Sequence, residues 1–192
     1  MQDSNAETLY FESPGPQNTE KTLKLALIRA KSLGVKDIIV ASTKGETGVK
    51  ALEIFKGHNL IIVTHSTGFR EADVQELPQE KKEEIESKGG KVLTCQHAFG
   101  GVNRAVRKKL GTYELDEIIA HTLRIFGEGM KVAVEIILMA ADAGLIRADK
   151  EVIAIAGTGK GADTALVVKP ANAQTFFDLE IREILCKPRS LK

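Results

Sequence analysis

The chain has 192 residues, enough for one hydrophobic core with short extensions, and we predict a single α/β domain over residues 1–192. Its 27 Lys and Arg residues nearly balance its 26 Asp and Glu residues, which gives a net charge of +1. This balance, together with the absence of Trp and the low aromatic content, argues against nucleic acid or an anionic membrane as a partner.

The two cysteines, Cys95 and Cys186, lie far apart without metal-ligand spacing, as is typical of free thiols in a reducing compartment. The N-terminal segment lacks the apolar core of a signal peptide. The longest apolar stretch, residues 132–146, carries Glu135 and Asp142 and is too short for a membrane span. We therefore expect a cytoplasmic protein without a membrane segment.

The first part of the chain predicts a short strand at residues 9–11, ended by the Pro14-Gly15 turn. We expect residues 1–17 to form an extension that packs on or near a ligand pocket. Asn18 or Thr19 can cap a helix that continues to about Leu33, where Gly34 ends it.

Four apolar runs with polar ends are typical of parallel strands buried on both faces. They are residues 36–42, 59–65, 91–95 and 151–157. Between them, the spacing of apolar residues predicts helices over 46–56 and 78–87, and the second of these helices is highly charged. Two final runs, residues 163–170 and 179–185, predict short strands that pair antiparallel.

Residues 113–126 predict an amphipathic helix with one apolar stripe. The stripe consists of Leu115, Ile118, Ile119, Thr122, Leu123 and Phe126. The next helix, over about 130–143, is apolar nearly all round and should be central. No element is predicted for residues 102–112. These helices offer more apolar surface than one small sheet requires, so we expect a homo-oligomer.

The alternation of strands and helices predicts an open, mostly parallel sheet with helices on both faces and an antiparallel edge. In such sheets, ligands bind beyond the carboxyl ends of the strands. Four loops should therefore converge on one site: residues 42–48, 64–69, 96–101 and 157–164.

The first loop, STKGETG over residues 42–48, suits a phosphate. Gly45 can adopt a positive φ and present backbone N–H groups at a helix N-terminus, a favourable place for an anion. The candidate ligand residues of this loop are Ser42, Thr43, Lys44, Gly45, Thr47 and Gly48. Glu46 opposes a phosphate unless its side chain points away. The alternative is an ordinary strand-to-helix turn with a capping Thr.

The second glycine-rich loop, GTGKGADT over residues 157–164, has neither the P-loop spacing nor the dinucleotide-binding pattern. It allows the backbone to approach a ligand closely, but a flexible connection between two strands explains the same glycines. The candidate ligand residues here are Gly157, Thr158, Gly159, Gly161, Asp163 and Thr164.

Two histidines follow neighbouring strands. His65 and His97 can donate to a ligand or act as acid and base, or they can simply bond to loop backbone. The candidate residues of these loops are Thr64, His65, Gly68, Phe69, His97 and Gly100. Glu135 can face a ligand or accept hydrogen bonds from a neighbouring turn, and we expect Asp142 to be structural. No residue is assigned to catalysis, and no metal site is expected.

Residues 38–72 and 152–170 resemble the C-terminal α/β domain of pyruvate kinase, in its strand, hydroxyl-rich turn and helix and in its last glycine-rich hairpin. The whole chain is more similar to a stand-alone group of pyruvate kinase C-terminal-like proteins. This resemblance implies a five-stranded core sheet with one antiparallel strand. It also implies that the first turn, with Ser42, Thr43, Lys44, Gly45 and Thr47, holds a phosphate. Gly159 and Gly161 belong to the second loop. Lys44 and Glu46 depart from the residues usual in the kinases.

For the stand-alone group, the resemblance implies flavin mononucleotide (FMN) as a ligand, its ring among His65, Phe69, His97 and the Gly100-Gly101 turn. The main hypothesis is therefore a protein that binds a phosphorylated small molecule, FMN in particular, without pyruvate kinase activity. A second hypothesis is an enzyme acting on a phosphorylated metabolite, with His65 or His97 as acid or base. A third is a metabolite sensor or scaffold.

Overall fold

The computed structural model describes residues 6–190, which form one seven-stranded sheet. The strands are β1 (Leu9–Phe11), β2 (Asp37–Ala41), β3 (Asn59–Val63), β4 (Lys91–Leu93), β5 (Val152–Ala156), β6 (Thr164–Lys169) and β7 (Glu180–Pro188). Their order across the sheet is β1-β7-β6-β5-β2-β3-β4.

The predicted mostly parallel sheet with antiparallel pairing on one side is confirmed. β6 runs antiparallel to both β5 and β7, and every other neighbouring pair is parallel. The resemblance implied five strands with one antiparallel member. β7 and the short β1 extend this core to seven strands while β6 remains the antiparallel strand.

Six helices connect the strands. They are α1 (Thr19–Leu33), α2 (Glu46–Ile54), α3 (Gln79–Ser87), α4 (Gly101–Leu110), α5 (Leu115–Arg124) and α6 (Glu128–Asp142). Short 3₁₀ turns occupy Pro16–Asn18 and Ala173–Asp178. The sequence analysis missed α4, although Val102, Val106 and Leu110 recur at helical spacing. Half of its residues are polar or basic, and none of its residues is buried.

The helices cover both faces of the sheet, as predicted. On one face, Leu23 of α1 and Leu52 of α2 pack on alternate strand residues such as Ile38 and Ile153. On the other face, α6 packs on Ile39 and the neighbouring strands. Nearly every residue of α6 is buried, which confirms its predicted central place. Within residues 6–190, no helix is both long and apolar enough to cross a membrane.

Two local predictions are wrong. Neither Asn18 nor Thr19 caps α1 with its side chain. Instead, Asn18 Nδ2 donates to the Ser13 carbonyl at 2.9 Å, and Thr19 Oγ1 accepts from the Ala162 N–H at 3.0 Å. The single stripe on residues 113–126 is also divided, because Leu115, Ile118 and Phe126 are exposed whereas Ile119 and Leu123 pack on a small core cluster.

Candidate functional site

A cavity of about 950 Å³ lies at the carboxyl ends of the central parallel strands. The loops that follow β2, β3, β4 and β5 all contribute to its wall, together with α6 and Pro16. Its volume suits a nucleotide-sized molecule. The predicted ligand residues that line it are Ser42, Thr43, Lys44, Thr47, Thr64, His65, Phe69, His97, Gly157, Gly159 and Gly161.

The other predicted ligand residues support the loops rather than line the cavity. They are Gly45, Gly48, Gly68, Gly100, Thr158, Asp163 and Thr164. Gly48 lets α2 approach β3, since a Cβ there would lie 3.0 Å from Ile62 Cγ2. The Thr164 hydroxyl, buried in the core, donates to the carboxylate of its neighbour Asp163 at 2.9 Å.

The turn between β2 and α2 presents unpaired backbone donors. Gly45 has φ +90° at the N-terminus of the helix, a conformation that favours glycine. Ser42 Oγ accepts from the Gly48 N–H at 3.1 Å and so serves the helix itself. Among residues 6–190, the N–H groups of Lys44, Gly45 and Thr47 have no acceptor. Three amides at a helix N-terminus form a ready site for an anion.

The sequence analysis expected the negative charge of Glu46 to oppose a bound phosphate. In the structure, Lys81 neutralises this charge. Glu46 Oε1 lies 3.0 Å from Lys81 Nζ on α3. Partial burial would raise the pKa of Glu46, but the hydrogen bond from Lys81 and the backbone N–H of Glu46 outweigh it, so the pKa lies below its usual range. Glu46 is therefore ionised and paired at neutral pH.

The cavity wall carries more positive than negative charge. Each of its carboxylates, on Glu46, Glu76, Glu128 and Glu135, has a cationic partner within 3.1 Å. Four lining cations have no carboxylate within 4.0 Å in the described part of the chain: Lys44, Lys50, Arg104 and Lys160. Unpaired cations in a concave site favour an anionic ligand.

An aromatic cluster forms another part of the wall. The ring of Phe69 stacks on His97 with centroids 4.8 Å apart and lies 4.1 Å from the ring of His65. The guanidinium carbon of Arg104 lies 4.5 Å from the centre of the Phe69 ring. Arg104 Nε is buried and has no hydrogen-bond partner among residues 6–190. These flat groups suit a planar ligand ring.

The two histidines differ in their hydrogen bonds. His97 Nε2 accepts from the Ser66 N–H at 3.4 Å, and its Nδ1 lies 3.6 Å from Glu135 Oε2, so both ring nitrogens are engaged. His65 Nδ1 lies 2.7 Å from Glu76 Oε2, and since a carboxylate only accepts, Nδ1 carries the proton. Within residues 6–190, His65 Nε2 has no partner.

The environment of His65 favours the neutral ring. Burial lowers its pKa below the usual range, although the hydrogen bond and the charge of Glu76 act in the opposite direction. Arg70 also pairs with Glu76, at 3.1 Å, and holds this carboxylate in place. A neutral imidazole, oriented at Nδ1 and unpaired at Nε2, can accept a proton near neutral pH.

Glu135 is the buried centre of a polar network on α6. Its Oε1 accepts from the Phe99 N–H at 3.1 Å, and its Oε2 pairs with Lys131 Nζ at 2.5 Å. Burial would raise the pKa of Glu135, but His97 and the Lys131 ammonium outweigh it and lower the pKa to about 2. The sequence left two roles open for Glu135, facing a ligand or accepting from a neighbouring turn. It has both positions, because it lines the cavity and accepts from the Phe99 N–H.

Asp163 joins the glycine-rich loop to the N-terminal segment. Its Oδ2 accepts from the N–H groups of Gly15 and Thr158, both at 3.1 Å. Gly161 packs so closely on this segment that a Cβ would lie 2.5 Å from Pro16 Cα. The segment before α1 is thereby held against the loop, and Pro16 reaches the cavity wall. That residues 1–17 act as an extension of a single domain stays a prediction, and residues 1–5 lie outside the described residues.

Comparison with known protein families gives a match over most of the chain. The family described as "Pyruvate kinase, alpha/beta domain" matches residues 20–168 of the 192 in the chain. The chain belongs to this family. The match begins in α1 and ends in β6, so it includes every loop of the cavity wall described above.

In this member of the pyruvate kinase α/β domain family, several wall residues escaped the sequence analysis. The charged ones are Lys50, Arg70, Glu76, Arg104, Arg124, Glu128, Lys131 and Lys160. Lys131 could have been found, since a lysine four residues before Glu135 in an apolar helix signals a buried ion pair. Arg104 was missed because α4, the helix on which it lies, was missed. Among residues 6–190, no group of three His, Cys, Asp or Glu side chains could hold a metal ion.

Proposed function

We propose that this protein binds a phosphorylated, ring-containing small molecule in the cavity, and that FMN is this molecule. The main support is the β2–α2 turn. Three backbone amides without an acceptor, and the Lys44 ammonium without a carboxylate partner, line or adjoin the cavity there. A phosphate bound there accepts from the amides and meets the positive end of α2. The proposal includes no pyruvate kinase activity, because the family match covers an α/β domain only.

The choice of FMN rests on the resemblance stated above and on the fit of the wall. One phosphate matches one amide-rich turn, and the cluster of His65, Phe69 and His97 offers flat surfaces for the ring. The buried Nε of Arg104, unpaired within residues 6–190, gives a donor for a ring carbonyl. When bound, FMN supplies hydride and single-electron chemistry. The cytoplasmic location also remains part of this proposal.

The first test is the absorption spectrum of the freshly purified protein, with mass spectrometry of any molecule released by heat. Flavin absorption bands and a released FMN mass support the proposal. Titration of the ligand-free protein with FMN and with riboflavin then isolates the phosphate, since the two differ by that group alone. We expect riboflavin to bind at least about tenfold more weakly, which corresponds to about 1.4 kcal/mol.

A charge reversal tests the turn itself. Lys44→Glu should weaken FMN binding about tenfold or more while leaving riboflavin binding nearly unchanged. Lys150→Glu makes the same charge change before β5, at the opposite end of that strand from the cavity loop, and serves as the control. Equal effects of the two variants would overturn the phosphate assignment. A protein that rejects FMN but binds another phosphorylated molecule through Lys44 would overturn FMN alone.

A second candidate function, an enzyme acting on a phosphorylated metabolite, is favoured by the Glu76–His65 pair. Glu76 orients the His65 ring and leaves Nε2 as an acceptor for a proton. His65→Gln should remove turnover of a phosphorylated substrate, whereas His97→Gln should alter the fold of the site and its affinity. A pH–rate profile that keeps its acidic limb in His65→Gln would exclude His65 as the base. The sensor or scaffold hypothesis stays a prediction.

A further inference from the structure

Helix α4 adds nothing to the hydrophobic core. Its apolar residues Val102 and Leu110 are 69% and 71% exposed, and none of its residues is buried. Within residues 6–190, no residue of α4 belongs to a hydrophobic core cluster. A helix so short is marginally stable in water by itself, and helices in proteins are stabilised mainly by packing of an apolar face. The position of α4 therefore depends on polar contacts.

The charged helix α3 is of similar length but is anchored. Its Ile85 is fully buried and belongs to the core. In α4, Arg104 and Arg107 are three residues apart, so that like charges lie side by side. Arg107 pairs with Glu117 of α5 at 2.7 Å, whereas Arg104 forms no ion pair within residues 6–190. The charge of α4 that faces the cavity is thus the one left uncompensated.

Arg104 is the contact between α4 and the cavity. Its guanidinium carbon lies 4.5 Å from the centre of the Phe69 ring, and its side chain forms part of the cavity wall. Gly100 leaves room for it, because a Cβ there would lie 3.0 Å from Arg104 Nη2. The Nε atom is buried and has no acceptor among residues 6–190. A buried donor without an acceptor is costly, and an oxygen atom of a ligand in the cavity removes this cost.

Glycines flank α4 at both ends. The helix begins after Gly100 and ends at Gly111, whose φ of +73° is in the left-handed region. A Cβ at Gly111 would meet no atom of the described chain within 4 Å, so packing does not hold this turn. Hinges are a few residues at the ends of an element that absorb the change in backbone angles. Helix α4 can therefore move while α5, anchored in the core by Ala120, stays in place.

We propose that α4 is a lid over the part of the cavity that contains Phe69 and His97, and that Arg104 closes this lid on the ligand. In the ligand-free protein, α4 leaves the cavity wall readily. An acceptor oxygen of the bound ligand takes the hydrogen bond of Arg104 Nε and holds α4 in place. The inference rests on the proposed function, since a phosphate in the β2–α2 turn leaves the ring of the ligand for Arg104.

Hydrogen–deuterium exchange of the full chain, measured by mass spectrometry with and without saturating FMN, tests the lid. In the ligand-free protein, the amides of α4 should exchange at least about tenfold faster than those of α3, because an unanchored helix opens easily. Saturating FMN should slow the exchange of α4 at least about tenfold, because the ligand binds the closed form better than the open form.

Two variants separate Arg104 from the rest of the helix. Arg104→Gln should lose most of the slowing that FMN causes in α4 and should weaken FMN binding about tenfold in a fluorescence titration. Lys109→Gln removes the same charge from an exposed position of α4 outside the cavity wall. This matched control should behave as wild type. Thermal unfolding checks that both variants are folded.

Three results would overturn the lid. In the ligand-free protein, exchange in α4 as slow as in α3 would show that the helix is held without a ligand, and if dilution removed this protection, another copy of the chain would be what holds it. FMN that binds without slowing the exchange of α4 would contradict closure on the ligand. Equal effects of Arg104→Gln and Lys109→Gln would exclude Arg104 as the closing residue.

Failure of the proposed function gives a different result. A wild-type chain that does not bind FMN overturns the choice of FMN. The exchange of ligand-free α4 then decides the lid, because exchange faster than that of α3 supports it and exchange as slow as that of α3 overturns it.

Discussion

The two glycine-rich loops of the cavity, residues 42–48 and 157–164, look alike in sequence but differ in how their backbone donors are used. In the first loop, the amides of Lys44, Gly45 and Thr47 have no acceptor within residues 6–190. In the second loop, the amides of Gly157, Gly159 and Gly161 also have no acceptor within residues 6–190, but four others are bonded inside the protein. They belong to Thr158, Lys160, Ala162 and Asp163.

The difference separates two uses of glycine. Gly45 turns the chain so that a helix N-terminus faces the cavity, whereas Gly161 removes a Cβ so that Pro16 and Thr19 can approach. A glycine-rich loop at the carboxyl end of a strand therefore has two explanations, ligand binding and close packing of the chain on itself. For the second loop, the close approach at Gly161 and the bond from the Ala162 N–H to Thr19 favour close packing.

The largest effect is expected at Asp163, which holds the second loop. Asp163→Ala leaves the N–H groups of Gly15 and Thr158 and the Thr164 hydroxyl without their acceptor. Because these groups are wholly or partly buried, the free energy of unfolding should fall by about 3 kcal/mol. Urea denaturation measures it. Asp142→Ala, at an exposed carboxylate that accepts from Asn172 and Ala173, is the control and should cost under about 1 kcal/mol. Equal losses would contradict the role of Asp163.

Glu135, which lines a third part of the cavity wall, should make the free energy of unfolding depend on pH. The pKa of Glu135 is lowered from 4.5 to about 2 in the folded protein. Its ionised form therefore stabilises the fold fully above about pH 4.5, and this contribution, about 3 kcal/mol, disappears as the pH falls towards 2. Glu135→Gln should be less stable than wild type at pH 7 and should approach it near pH 2. Urea denaturation across this range would contradict the assignment if the difference stayed constant.

Two alanine substitutions in the second loop separate backbone conformation from close packing. Gly159 and Gly161 have φ values of +76° and +69°, but only at Gly161 would a Cβ clash, at 2.5 Å from Pro16 Cα. Gly159→Ala should cost about 1 kcal/mol, the usual penalty of a left-handed alanine. Gly161→Ala should cost about 2 kcal/mol or more, because the Pro16 segment must move. Thermal unfolding of the pair compares them, and equal costs would show that the packing is unimportant.

The smallest effects are expected at two hydroxyls that accept from loop amides, Ser42 in the first loop and Thr19 of α1 beside the second loop. Ser42→Ala removes the acceptor of the Gly48 N–H, and Thr19→Val removes the acceptor of the Ala162 N–H. Each should lower the free energy of unfolding by about 1 kcal/mol. Ser42→Ala should leave phosphate binding close to wild type, since the three unpaired amides remain. Loss of FMN binding in Thr19→Val alone would show that the second loop, not the first, holds the phosphate.

The framework of the fold was predictable because burial on both faces leaves a clear pattern. The apolar runs ending near Ala41, Val63 and Ala156 are strands in the structure, within a residue or two. The loops after them converge because parallel strands end at one edge of a sheet. The helix α4 lacked the uniformly apolar run of the strands; it buries no residue, and its signal was limited to Val102, Val106 and Leu110 at helical spacing.

The sequence by itself determined the class of fold, the edge of the sheet that carries the cavity and most of the loops around it. These depend on local patterns, since hydrophobic runs, turn glycines and strand ends are properties of neighbouring residues. Only the tertiary structure decided which donors remain unpaired. Thr19, Asp163 and Glu135 accept from the backbone of Ala162, Gly15 and Phe99, which lie 36 to 148 residues away along the chain. No local pattern could therefore show which backbone donors of the two loops are used inside the protein.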